Sequence, residues 1–232
     1  EIRPGGRLGL RLACGLSTDS RPLILGGAMR RSARYCCGLK TALLTALGFS
    51  ICNTVSASTI TITDTTDALD VSSSIAMLED PGGTLTAHTV TQSATSLDWV
   101  ASEDATPNLG FTDSVWWFQL SFNNVSNRED WIMVLGYSQL DEVDLIRVRD
   151  GKIETVASGD LRPADTRYRD FSKLNFQVTL PAQAQTTYWL RVATSSSLQL
   201  PITLYSELEF GAFAIQESSK NAFLYGIFVV MI

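Results

Sequence analysis

Six side chains in this sequence form a mixture suited to binding a sugar: Trp117, Gln119, Asn175, Gln177, Trp189 and Arg191. An indole face covers the C–H face of a pyranose, while amides and a guanidinium bond its hydroxyls. If the strands that carry them share a sheet, the set lines a concave face. Otherwise they belong to a partly exposed sheet face with both indoles packed under loops. A second candidate is the basic loop of Arg162, Arg167 and Arg169, which would suit an anionic ligand. The same arginines could instead be neutralised by Asp160, Asp165 and Asp170 close by.

Catalytic chemistry finds less support. There is no Gly-x-Ser-x-Gly elbow, phosphate loop or HExxH motif. Asp141 and Asp144 resemble an acid/base pair, but positions three apart on a strand face opposite sides. They read as a solvated turn and strand start. A structural calcium at Asp141 would rest on one short acidic cluster, and no cofactor is expected. The single histidine, His88, lies in a polar stretch and should be exposed. Asn124-Val125-Ser126 matches a glycosylation sequon by accident. The chain is read as a binding module rather than an enzyme.

These side chains need strands to position them. Val115 to Phe122 alternates, with Trp116, Phe118, Leu120 and Phe122 on one face and Trp117 and Gln119 on the other. The runs Leu174–Leu180, Tyr188–Val192 and Leu198–Leu204 alternate in the same way. Trp131–Tyr137 and Val143–Val148 are apolar on both faces, as in interior strands. Thr59–Thr63 is a β-branched run expected at an edge. Asp150-Gly151 marks a hairpin, and Leu85–Leu97 is a candidate short helix with Thr84 as its cap. Many short strands with one apolar face each predict an all-β fold of two packed sheets, a jelly-roll β-sandwich.

Charge and cysteine place this domain in the chain. Residues 1–57 hold eight basic and two acidic residues, leaving ten basic and 22 acidic residues in the rest, a net charge of −12. An acidic body argues against nucleic acid as a partner. Residues 29–57 read as a secretory signal peptide: Met29-Arg30-Arg31 through Lys40 is basic, Thr41–Ile51 apolar, and Val55-Ser56-Ala57 offers a cleavage site. Residues 1–28 are an upstream extension outside the native start at Met29, or a fragment of a longer leader. Cys14, Cys36, Cys37 and Cys52 all precede the cut, so the exported part can hold no disulfide or zinc thiolate site. At the other end, Ala222–Ile232 carries no charge. Residues 208–219 then read as a juxtamembrane hinge, 220–232 as the start of a truncated first transmembrane helix, and 58–207 as the extracytoplasmic β-sandwich.

Several strings together resemble a known family. They are Gly110-Phe-Thr-Asp-Ser-Val-Trp-Trp-Phe118, Gly136-Tyr-Ser-Gln-Leu-Asp-Glu-Val-Asp-Leu145 and Gly159-Asp-Leu-Arg-Pro163, followed by Phe176–Pro181, Tyr188–Val192 and Ser197–Leu204. In order and spacing they resemble the type-2 extracellular sensor domain of bacterial seven-transmembrane receptors with diverse intracellular signalling modules (7TMR-DISM), over about residues 75–207. The resemblance implies a periplasmic jelly roll similar to carbohydrate-binding modules, held at the inner membrane. It implies a small-molecule ligand such as a carbohydrate, a homodimer in the full receptor, and a cytoplasmic output, often a diguanylate cyclase or histidine kinase. A membrane-tethered module that binds a carbohydrate or protein without signalling is the competing reading.

Overall fold

The structure, a computed structural model, describes residues 57–102 and 104–231. The readings of 1–28 as an extension and of 29–56 as most of a signal peptide, with all four cysteines, lie outside the described residues.

The strands, in chain order, are β1 (Thr59–Ile62), β2 (Ala68–Asp70), β3 (Ala76–Asp80), β4 (Val100–Ala101), β5 (Asn108–Phe111), β6 (Val115–Asn124), β7 (Asp130–Leu135), β8 (Glu142–Arg149), β9 (Lys152–Ser158), β10 (Leu174–Thr179), β11 (Ala184–Ala193), β12 (Ser197–Gln199) and β13 (Ile202–Tyr205). One sheet runs β4-β3-β6-β11-β8-β9, with β1 parallel to the second half of β6. The second runs β10-β7-β13-β2, and β5 pairs with β12 apart from both. Every pairing except that of β1 is antiparallel. The fold is an all-β sandwich.

The period-two alternation decides what fills it. Phe118, Leu120, Phe122, Tyr188 and Leu190 of the first sheet meet Trp131, Met133, Phe176, Val178 and Leu204 of the second in one buried core. Burying such apolar surface is the main driving force for folding. The expected interior strands are interior: β7 lies between β10 and β13, and β8 between β11 and β9. The β8–β9 hairpin turns at Asp150 and Gly151, both at positive φ (51° and 74°), the backbone a two-residue type I′ turn requires.

Two further apolar clusters lie on the outer faces. Ala76, Leu78, Trp117, Ile146 and Trp189 on the outside of the first sheet pack with Val90 and Trp99 of the segment that crosses it. That segment contains α1 (Ala87–Gln92), shorter than Leu85–Leu97 and capped by Thr86 rather than Thr84: the Thr86 side chain accepts from the backbone N–H of Thr89. Ile132 and Val134 on the outside of the second sheet pack with Phe171 and Phe210. Phe210 belongs to α2 (Glu207–Met231), which runs unbroken through the expected join of hinge and membrane segment at residue 220. Among the described residues no helix is long and apolar enough to cross a membrane.

Candidate functional site

Four of the six candidate sugar contacts come together on the outer face of the first sheet. Trp189 is paired with Gln119, and Arg191 with Trp117, across β11 and β6. Both indoles, however, are covered by the segment 84–102: Trp117 is 1% exposed and Trp189 7%, next to Trp99 at 5%. The indole N–H groups of all three are buried with no acceptor among the described residues. Arg191 is held by acids, with Nη1 3.3 Å from both Glu142 Oε2 and Asp144 Oδ2.

Asn175 and Gln177 are elsewhere. They sit on β10, in the second sheet, paired with Val134 and Ile132 of β7. The six residues therefore do not form one face. Asn175 is fully buried and pins a loop: its Oδ1 accepts from Arg169 N at 2.7 Å, and its Nδ2 donates to Arg169 O and Lys173 O, each at 3.0 Å. Removing such a side chain leaves partly buried backbone groups of Arg169 and Lys173 without their partner. Asn175→Ala is expected to cost about 2 kcal/mol and to lower Tm by roughly 4–8 °C, read by thermal unfolding followed by circular dichroism.

The basic loop is not neutralised by its own aspartates. Arg162 Nη1 lies 2.5 Å from Asp144 Oδ1, on β8. Arg169 pairs with Glu207 and stacks over the Tyr168 ring at 4.6 Å. Arg167 Nη1 donates to Phe171 O at 2.9 Å. The partners of these arginines come from β8, α2 and the backbone, and none of the three pairs with Asp160, Asp165 or Asp170 among the described residues. The acidic cluster is likewise engaged. Asp141 Oδ2 accepts from the N–H and hydroxyl of Ser195, each at 2.7 Å, and Glu142 and Asp144 face Arg162 and Arg191.

An open cleft between the sheets combines an ion pair with two tyrosine rings. It occupies about 230 Å³ between the inner face of β8, β9 and β11 and the free edge of β10. Leu145 and Val156 supply apolar lining, with Arg147, Glu154, Thr166, Tyr168, Gln177 and Tyr188 around them. Arg147 Nε donates to Glu154 Oε2 at 2.5 Å and Nη1 to the Tyr188 hydroxyl at 3.2 Å. Partial burial works against the Arg147 charge, but Glu154 and Tyr188 outweigh it and its pKa is raised. The hydrogen bond from Arg147 holds the Glu154 carboxyl below its usual range. The Tyr188 hydroxyl accepts from Thr179 N and donates to Thr179 O, and Asn175 O accepts from Tyr168 N. The peptide groups of residues 175 and 179 therefore face the free edge, and strand alternation places those of Gln177 there too. The cleft thus presents a backbone donor and acceptor beside an ion pair. Gln177 was the one candidate residue on its rim. Arg147 and Glu154 stand at opposed positions of a hairpin, Arg147 directly opposite Glu154, which the Asp150-Gly151 turn signal foreshadows. Tyr188 reads as a plain core residue in sequence.

The family model of the 7TMR-DISM extracellular 2 domain matches residues 72–206. The chain belongs to that family. No curated protein matches the chain. The 7TMR-DISM extracellular 2 domain here is thus the extracellular sensory domain of a membrane receptor class; the match begins in the turn before β3, leaving out β1 and β2 of the sandwich, and stops one residue before α2.

This 7TMR-DISM domain packs α2 against the outside of its second sheet. Tyr205 stacks on Phe213 at 4.9 Å, and Phe171 meets Phe210 and Phe213 edge-on at 5.5 and 5.6 Å. Lys173 Nζ lies 3.2 Å from Glu217 Oε1. That hydrogen bond, opposed by burial and aided by the charges of Lys173 and Lys220, holds the Glu217 carboxyl below its ordinary value of 4.5. Burial raises the pKa of neighbouring Tyr205. A depressed carboxylate pKa stabilises the fold above the ordinary value, and that contribution disappears as pH falls through the depressed one. The helix is therefore expected to stay docked at neutral pH and to loosen as pH drops below 4.5. Amide exchange of residues 207–217 across that range checks it; protection unchanged down to about pH 2.5 would contradict it.

Proposed function

We propose that this domain is the periplasmic ligand-sensing domain of a membrane-bound bacterial receptor and that it binds a small polyhydroxylated molecule, such as a saccharide, in the cleft of Arg147, Glu154, Tyr168 and Gln177. The observation that carries the reading is the combination in one open cleft of an ion pair, a tyrosine ring and the backbone edge of Gln177. Hydroxyl groups both donate and accept, so paired donors and acceptors suit them. A cleft of about 230 Å³ is smaller than pockets for drug-sized ligands and suits a monosaccharide. The signal would pass through α2 into a membrane helix beginning near residue 220, at the inner membrane, and on to a cytoplasmic output. The receptor would act by binding the ligand with different affinity in two states. In this reading the sandwich is a jelly roll.

Calorimetry on the full chain with D-glucose, D-galactose and N-acetylglucosamine tests the site. Binding of one of them is expected, weakened about tenfold or more by Arg147→Gln, as befits a lost charge-assisted hydrogen bond. Exposed Gln177 lies at the rim, so Gln177→Ala tests its side chain without disturbing the core.

A second reading is favoured by the three buried indole N–H groups without acceptors. If the segment 84–102 swings away, Trp117, Gln119, Trp189 and Arg191 become a saccharide platform. Binding lost in Trp117→Phe and Trp189→Phe but kept in Arg147→Gln would move the ligand there. A tether without signalling role is the third reading; a coding sequence that continues past Ile232 without further apolar spans would favour it.

A further inference from the structure

We propose that the loop of residues 159–173 is a lever that couples the cleft to the exit helix, with Asn175 as its fulcrum. This inference rests on the cleft being the sensory site. The loop faces the cleft on one side and the helix on the other. Thr166 and Tyr168 line the cleft. The residues that follow hold α2: Arg169 pairs with Glu207, the Phe171 ring packs edge-on against Phe210 and Phe213, and Lys173 pairs with Glu217. Lys173 also lies over the Phe213 ring at 5.2 Å. Glu207, Phe210, Phe213 and Glu217 recur at spacings of three and four, so they form one stripe along the helix. The loop therefore contacts the first three turns of α2 along a single line.

Its internal bracing makes it move as a unit. Tyr168 N donates to Asn175 O, and the Asn175 side chain ties Arg169 to Lys173. Arg167 Nη1 donates to Phe171 O across the inside of the loop. A shift of Tyr168 toward a ligand in the cleft turns Arg169 and Phe171 about the β10 anchor, and these are the groups that hold the helix. Asn175 itself is fully buried, whereas Tyr168 and Arg169 are exposed, so the arms are freer to move than the pivot. A ligand that favours one position of the loop then favours one position of α2, and the coupling must be reciprocal.

Amide hydrogen exchange on the full chain tests this with and without ligand. Glu217→Gln removes one helix contact at a surface position. It is expected to speed exchange in residues 164–170 as well as in 207–217, by about two- to fivefold, the range for losing one partly exposed ion pair. Tyr168→Ala, on the cleft arm and away from α2, is expected to speed exchange in 207–217. Gln177→Ala lines the cleft outside the loop and is expected to leave the helix unchanged. Effects of Glu217→Gln confined to α2, or of Tyr168→Ala confined to the loop, would overturn the lever. These arms need no ligand, so they fail separately from the cleft reading. If D-glucose, D-galactose or N-acetylglucosamine binds, its addition should alter exchange in 207–217 for the parent chain. Binding that leaves those residues unchanged would also overturn the lever.

Discussion

Gly159→Ala is expected to destabilise the domain by about 4 kcal/mol and to lower Tm by roughly 8–16 °C. Two separate costs add at this position. The backbone there has φ +147°, which side-chain-bearing residues rarely adopt. A Cβ would also press into the Asp141 carbonyl, at 2.8 Å from its carbon and 3.0 Å from Glu142 Cα. Backbone atoms at the start of β8 cannot step aside as the end of a long side chain could. The strain falls at the root of the 159–173 loop, where Asp160 N donates to Leu140 O at 2.8 Å. Gly151 is the matched control. Its φ is +74°, but no atom lies within 4 Å of an added Cβ. Gly151→Ala should therefore cost only the backbone term, about 1–2 kcal/mol. Thermal unfolding of the two variants side by side separates the effects. Equal midpoints would mean that Gly159 is not wedged against β8. A folded Gly159→Ala variant is also expected to show faster amide exchange in the loop.

The second large effect is expected at Asn124. Asn124→Ala should cost about 3 kcal/mol, roughly 6–12 °C in Tm. The side chain is fully buried, and both ends of its amide are used. Oδ1 accepts from Ser126 N at 3.0 Å and from the Ser126 hydroxyl at 2.6 Å. Nδ2 donates to Arg128 O at 2.8 Å and Leu180 O at 2.7 Å. The residue thus ties the β6–β7 turn to the chain leaving β10. Truncation leaves several buried partners unsatisfied, each worth about 1–3 kcal/mol before relaxation. Asn124→Asp keeps the shape but turns a carboxylate toward two carbonyls, and should be at least as damaging. Ser126→Ala removes one contact of Asn124 together with the weaker bonds of the hydroxyl to Arg128 N and O, and should cost less, about 1–2 kcal/mol. Denaturant unfolding of the three variants gives the ranking; an Asn124→Ala midpoint close to that of Ser126→Ala would refute it. The sequon read at Asn124-Val125-Ser126 is thus a structural turn, and the amide that a glycan would need is fully occupied.

The strands were legible because their signal is local. An apolar residue at every second position, as in Trp116, Phe118, Leu120 and Phe122, has to be buried on one side whatever its partners are. The hairpin at Asp150-Gly151 was legible for the same reason: its backbone needs two positive φ angles in succession. The candidate site was legible only in pieces. Trp117, Gln119, Trp189 and Arg191 share a face because β6 and β11 pair in that register. Alternation cannot state which strand pairs with which, and it grouped Asn175 and Gln177 with them although β10 pairs with β7 in the other sheet. Nor does it reveal covers. The segment that buries Trp117 and Trp189 comes from residues 84–102, whose sequence is mostly polar, and its effect depends on where Val90 and Trp99 land.

By itself, then, the sequence determined the all-β character, the sensor-domain family, the cysteine-free acidic body and the faces of individual strands. Those properties depend on composition, order and period two, which are complete in one dimension. Only the tertiary structure decided that Arg147, Glu154, Gln177 and Tyr188 share a cleft and that Arg169, Phe171 and Lys173 reach α2. These groups are far apart in the chain, or sit in a loop without periodicity. Their meeting follows from sheet order and the packing of the two sheets, where burial and hydrogen bonding are satisfied jointly by the whole domain rather than by any segment.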